Sequence, residues 1–166
     1  MSNLPLRLRQ GLLRMKEGAA GVADRVPIYA QVCHHAARLA NESTRVFYTD
    51  AETFLRCELA ADDFYSLDAP TIHYDVYNIE AEALGANPIW REGEAPTIDH
   101  SHPLLTSIEA FNQLRPPTMG AAGRMPYVLQ INDRLADIGL TPIWRADSTR
   151  RRRRSYLSLT WRIISG

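Results

Sequence analysis

The chain has 166 residues, is 45% hydrophobic and 23% charged, and carries no net charge at neutral pH. These proportions are those of a globular chain of one domain, so wholesale disorder is excluded. No apolar run reaches the roughly 20 residues that a membrane-spanning helix needs, and Cys33 and Cys57 are too few for a disulfide framework. The N-terminus has basic residues without an apolar stretch after them, so no secretory signal is read and a cytoplasmic location is expected.

In chain order, Leu6, Leu8, Leu12, Leu13 and Met15 predict an imperfect amphipathic helix, weakened by Gly11 and broken by the Gly18–Gly21 stretch. Residues 26–32, led by Pro27, predict a buried strand, and residues 35–39 a short helix. Thr49 or Asp50 caps the next helix, whose apolar spacing Phe54, Leu55, Leu59 and Phe64 carries it to about Tyr65. Residues 69–74 predict a second strand with Asp75 at its carboxyl end. Residues 77–84 follow as a helix stopped by Gly85, and residues 87–90 as a third strand.

Residues 91–103 read as a polar, proline-punctuated loop, and residues 104–114 as a weak helix ended by Pro116 and Pro117. Gly120 and Gly123 lead into a helix with Pro126 in its first turn and Gly139 after its end. Residues 140–144 predict a fourth strand. Strands alternating with helices predict an α/β fold of βα units around a parallel sheet.

The zero net charge hides a division. Residues 1–144 hold 12 basic and 18 acidic side chains, whereas residues 145–166 hold 7 arginines and one aspartate. Two regions are therefore expected, 1–144 and a basic tail 145–166. The tail contains the run Arg150 to Arg154 with Tyr156 and Trp161 nearby. Residues 156–164 alternate as a strand would. Charge alone allows the run to touch phosphates without sequence preference, and a solvated tail is the plainer reading, so no nucleic-acid partner is expected.

Four stretches carry a family resemblance: Asp24-Arg-Val-Pro-Ile28, His35-Ala-Ala-Arg-Leu-Ala40, Asp75-Val-Tyr-Asn-Ile-Glu-Ala-Glu-Ala-Leu-Gly85 and Gly123-Arg-Met-Pro126. Together they resemble the uroporphyrinogen decarboxylase superfamily over about residues 6–144, and the branch with corrinoid-dependent methyltransferases more than the haem-pathway decarboxylases. That family folds as a (β/α)8 TIM barrel, which takes roughly 250 residues. The expectation is thus a partial barrel, its N-terminal half, followed by a non-family tail.

The resemblance implies methyl transfer between a corrinoid, which can ride on a corrinoid protein, and a small thiol activated by zinc. The family's zinc ligands, a His-x-Cys motif and a later Cys, belong to the second half of the barrel, so no metal or bound cofactor is assigned to this chain. The alternatives are tetrapyrrole decarboxylation, as in porphyrin biosynthesis, and a non-enzymatic fragment acting through its arginine run.

Asp75 is the expected catalytic residue. The resemblance implies that its carboxylate accepts pyrrole N–H groups and steadies charge developing on a tetrapyrrole. Its residue type and place also suit a plain helix N-cap. His73 shares the face of Asp75 if residues 69–74 are a strand. His34 and His35 follow the first strand, and Tyr77 opens the helix after Asp75. These four are the expected substrate-binding residues.

The segment Val32-Cys-His-His-Ala36 stands where decarboxylases of the family carry arginines for substrate carboxylates, which counts against an eight-carboxylate substrate. Cys33, His34 and His35 are metal-ligand types, but adjacent strand residues point to opposite faces and no further Cys-His cluster completes four ligands, so lining the pocket or local packing is the expected role. His100 and His102 beside Asp99 read as solvated loop residues, and Glu80 and Glu82, two apart on a helix, do not form an acid/base pair.

Overall fold

The computed structural model describes residues 5–118 and 120–140, and within them the side chains of all residues but Val76 and Tyr77. The expected strand beyond Leu140, and the whole tail 145–166 with its arginine run and alternating segment, lie outside the described residues.

Seven helices and two short strands are present among the described residues: α1 Leu6–Ala19, α2 His34–Leu39, α3 Thr44–Phe47, α4 Ala51–Phe64, α5 Val76–Ala83, β1 Pro88–Ile89, β2 Thr97–Ile98, α6 Ile108–Gln113 and α7 Met125–Asp137. None of these helices is long and apolar enough to cross a membrane.

Local signals placed the helix ends well. Asp50 is the cap of α4, its carboxylate accepting the Thr53 N–H at 2.7 Å. Gly85 follows α5 and Gly139 follows α7, both with positive φ (106° and 84°), where a glycine costs least. Pro126 lies in the first turn of α7. The stretch 104–114 is helical only over α6, which Ser107 starts by accepting the Ala110 N–H. Helix α3, capped by Ser43, had not been expected.

α1 runs through Gly18 rather than stopping before it. Its Gly11 is not a weak point but a close approach. A Cβ there would stand 1.8 Å from the backbone oxygen of Asp68, so only glycine lets α1 lie on that segment.

The described residues do not show the expected half-barrel sheet. The structure is mostly helical, and the two expected strands 26–32 and 69–74 belong to no sheet. Pro27 has no N–H to give, and Ile28 gives its own to the Asp68 carboxylate at 2.8 Å. One backbone bond, Asp68 N–H to the Ile28 carbonyl at 2.7 Å, joins the two segments. That is too little to make a ladder. Residues 26–32 are also not a buried strand: Val26 is 81% exposed and Tyr29 61%. Residues 69–72, by contrast, are buried.

The third expected strand survives as β1, but it pairs antiparallel with β2, Pro88 opposite Ile98 and Ile89 opposite Thr97. β2 falls in the segment read as a loop. The connection is too short for a parallel crossover, which takes a dozen or more residues, and Gly93 at φ 80° helps it turn back.

The core gathers around α4, which packs against α2, α3 and α7. Phe54 sits at its centre, 4.8 Å from the Phe47 ring and 5.9 Å, edge-on, from Tyr127. Tyr127 in turn donates its hydroxyl to the Phe47 carbonyl at 3.0 Å. The buried stripe of α4 differs from the expected one. Phe64 is 67% exposed, and the face turned inward is Phe54, Leu55, Cys57, Glu58, Ala61 and Asp62. Purely apolar periodicity could not find it, because two of its members are acids.

A four-residue ion network ties the N-terminal elements together. Asp68, buried, accepts from Arg14 at 2.5 Å and from two guanidinium nitrogens of Arg25 at 2.7 and 2.8 Å. Arg14 also holds Asp24 at 2.7 Å. α1, the loop before residue 28 and the start of the 69–74 segment are thereby clamped to one carboxylate.

Candidate functional site

The 69–74 segment delivers Asp75 to the mouth of α5. Asp75 takes the N-cap position in a left-handed backbone conformation, φ 62° and ψ 64°. Such a conformation costs a non-glycine residue energy and persists only where surrounding contacts impose it. The carboxylate does not cap α5: no backbone N–H of the helix reaches it. It is buried, with Arg124 Nη2 donating to Oδ2 at 2.6 Å and Asn78 Nδ2 donating to Oδ1. Asn78 is itself fixed by a second bond, 2.8 Å, to the Pro96 carbonyl.

Arg124 falls within the family-like run Gly123-Arg-Met-Pro126, but nothing local in the sequence marks it as a site residue. In the fold it is buried between two carboxylates, reaching Asp75 with one nitrogen and Glu82 Oε2 with Nε at 2.5 Å. Its Nη1 donates to the Tyr48 carbonyl at 3.3 Å, and its guanidinium lies 5.0 Å from the centre of the Trp90 ring. Burial works against its charge, but the bonds to Glu82 and Asp75 outweigh that and hold its pKa above the usual arginine value.

Gly123 makes this approach possible. Its α-carbon packs so close to α5 that a Cβ would meet the Ala83 nitrogen at 3.0 Å. The glycines therefore serve the turn and the contact between α7 and α5. Glu82 is held in place by its ion pair with Arg124. The cluster Asp75, Glu82 and Arg124 carries a net charge of −1 beneath an indole face.

The expected substrate-binding residues do not all gather here. His73, in the same segment, is half-buried and makes no hydrogen bond to Asp75. Tyr77 lies in the first turn of α5, with its side chain outside the described ones. His34 and His35 open α2 rather than end a strand. His34 is half-buried with Nδ1 unpartnered, while His35 is exposed and its Nε2 shares a 2.7 Å hydrogen bond with the Tyr65 hydroxyl. His35 and Tyr65 face an open cleft of about 440 Å³ walled by Ala30, Gln31, Val32 and Leu67. His35 thus lines a cleft to which no residue of the Asp75 cluster contributes.

A zinc site does not fit these residues. Among the described residues no group of three or more His, Cys, Asp or Glu could hold a metal ion. Cys33 is half-buried and its thiol is pushed up by burial, with Glu58 adding to the effect, which is the opposite of a metal-ready thiolate. His102 Nδ1 lies 2.8 Å from Asp99, and Ser101 bonds to the same carboxylate, which its Ser101 and His102 partners hold down at about 2. This loop cluster is exposed, as expected, and closes on itself.

A family model described as uroporphyrinogen decarboxylase (URO-D) matches residues 9–143, a span that includes Asp75, Glu82, Trp90 and Arg124. No curated protein and no solved structure gives a significant match to the chain.

Proposed function

The chain belongs to the uroporphyrinogen decarboxylase family, and from that premise we propose that it recognises a tetrapyrrole-type ring through the buried Asp75 cluster. We read that ring as a corrinoid, the parent activity being methyl transfer between a corrinoid and a thiol. The observation that carries this reading is the state of Arg124. A substrate bearing many carboxylates needs cations that are free to meet them. Here the cation beside Asp75 is spent on Asp75 and Glu82, and the cluster is net negative. Residues 32–36 supply no arginine or lysine either. A ring edged with neutral amide N–H donors, as a corrinoid's side chains provide, suits a carboxylate; a polyanion does not.

Each Asp75 oxygen already accepts one bond, and a carboxylate has about four lone-pair sites in all. Room remains for further N–H donors once Asn78 and Arg124 have fixed its orientation. Trp90 lies beside it, with the guanidiniums of Arg124 and Arg45 5.0 and 5.5 Å from its ring centre. The chain's own residues therefore bind and orient. No donor set for activating a thiol is assembled by the described residues, and binding without turnover is the expected behaviour.

Equilibrium dialysis against hydroxocobalamin and, separately, against uroporphyrin tests this. Retention of the corrinoid, with less in Asp75→Asn and none of the uroporphyrin, is expected. Preferential retention of uroporphyrin would overturn the corrinoid reading, and retention of neither would overturn ring recognition. Incubation with zinc, methylated corrinoid and a thiol, or with uroporphyrinogen, should give no product. Turnover that disappears in Asp75→Ala would refute binding without chemistry.

A further inference from the structure

Helix α4 turns two acids toward the core. Glu58 and Asp62, one turn apart, are 0% and 1% exposed, and none of their four carboxylate oxygens meets a hydrogen-bond partner. An ionised carboxylate so placed loses its hydration with nothing in exchange, and a second charge on the next turn adds repulsion.

Among the described residues, no cation offsets Glu58, and Arg7 alone acts on Asp62. The α2 side presents Cys33 and His34, whose Nδ1 is also buried and unpartnered. Tyr48 ends α3, and Tyr127 and Asn132 come from α7; both phenols are raised by burial, with Glu58 adding to the effect. Tyr74, before α5, is raised by burial too.

From α1 comes Arg7, which lowers Asp62 somewhat but spends its N–H groups on the carbonyls of Asp62 and Leu67 and on the Asp63 carboxylate. The remaining charges of α4, Glu52 and Arg56, pair outward with Arg134 and Glu42.

We propose that Glu58 and Asp62 form a proton-operated latch at the centre of the body: their neutral carboxyls hold the fold, and loss of those protons frees α4 from α2 and α7. Burial raises Glu58 to about 9, with Asp62 adding to it, and Asp62 to about 7, against ordinary values of 4.5 and 3.8. The folded chain thus binds more protons than the unfolded chain. Stability from this source is complete below the ordinary carboxylate range. It falls as pH rises toward about 7 for Asp62 and about 9 for Glu58. The latch does not rest on the proposed ring recognition, and its test uses no ring.

Urea unfolding of the full chain, followed by far-UV circular dichroism between about pH 7 and pH 9, reads the latch directly. Glu58 alone should lower the folding constant by about tenfold per pH unit across that window. Glu58→Gln, which cannot ionise, should flatten the profile and raise the midpoint at the alkaline end. An unchanged slope in Glu58→Gln would overturn the proposal. A second measurement needs no variant: wild-type chain unfolded by urea in weakly buffered solution near pH 7.5 should release protons. No release, or uptake, would equally overturn it.

Discussion

Replacing Arg124 by methionine removes the cation from the Asp75 cluster while keeping most of the side chain's apolar bulk. Deleting one partner of a buried ion pair costs about 3–5 kcal/mol, because the remaining charge is stranded. Two carboxylates would be stranded here, but unequally. Asp75 has a side-chain exposure of 7%, whereas Glu82 at 19% can turn toward water. The cation–π contact with Trp90 is lost as well, worth about 1 kcal/mol.

A destabilisation of about 4 kcal/mol is therefore expected, a large share of the roughly 5–15 kcal/mol that holds a domain together. The assay is urea unfolding at neutral pH, with the midpoint falling and the denaturant slope unchanged. Asp75→Asn in the same background should restore about 2 kcal/mol, since a neutral amide no longer needs the cation. Arg124→Lys should recover only part, because one ammonium cannot reach both carboxylates as the guanidinium fork does. If Arg124→Met costs less than about 1 kcal/mol, or if the two substitutions simply add, the cluster is not the coupled buried unit argued for above.

Two further predictions concern the N-terminal clamp. Asp68→Asn should destabilise by about 2 kcal/mol in urea unfolding, the scale of lost hydrogen bonds to charged groups. Burial pushes the Asp68 carboxyl up, but the Ile28 N–H, Arg25 and Arg14 together outweigh it and leave it below its ordinary 3.8. Its stabilisation is therefore complete above the ordinary value and is lost as pH falls below about 4. The acid unfolding limb should accordingly be shallower in Asp68→Asn, and an identical limb would count against the clamp. Gly11→Ala should cost about 3 kcal/mol despite the better helix propensity of alanine, because its Cβ would overlap the Asp68 carbonyl. A thermal melt showing Gly11→Ala at or above the wild-type midpoint would contradict the close packing of α1 on that segment.

What the sequence by itself determined is local. Helix ends were legible because a cap or a stop acts within a few residues: Asp50 on Thr53, Pro126 in a first turn, Gly85 and Gly139 just beyond the helices they end. The family was legible for a similar reason, since short runs such as the one from Asp75 to Gly85 carry it without any contact being known.

What only the tertiary structure decided are relations between distant residues. Asp75 and Arg124 are 49 positions apart, so nothing in either neighbourhood announces that one neutralises the other. Residues 26–32 and 69–74 have strand-like composition, but a strand exists only when a neighbour accepts its bonds, and here Pro27 and the Asp68 carboxylate take that possibility away. The acids of α4 were hidden for the converse reason. A charged residue type reads as surface, and only the packing of α2, α3 and α7 around Glu58 and Asp62 turns them into the interior.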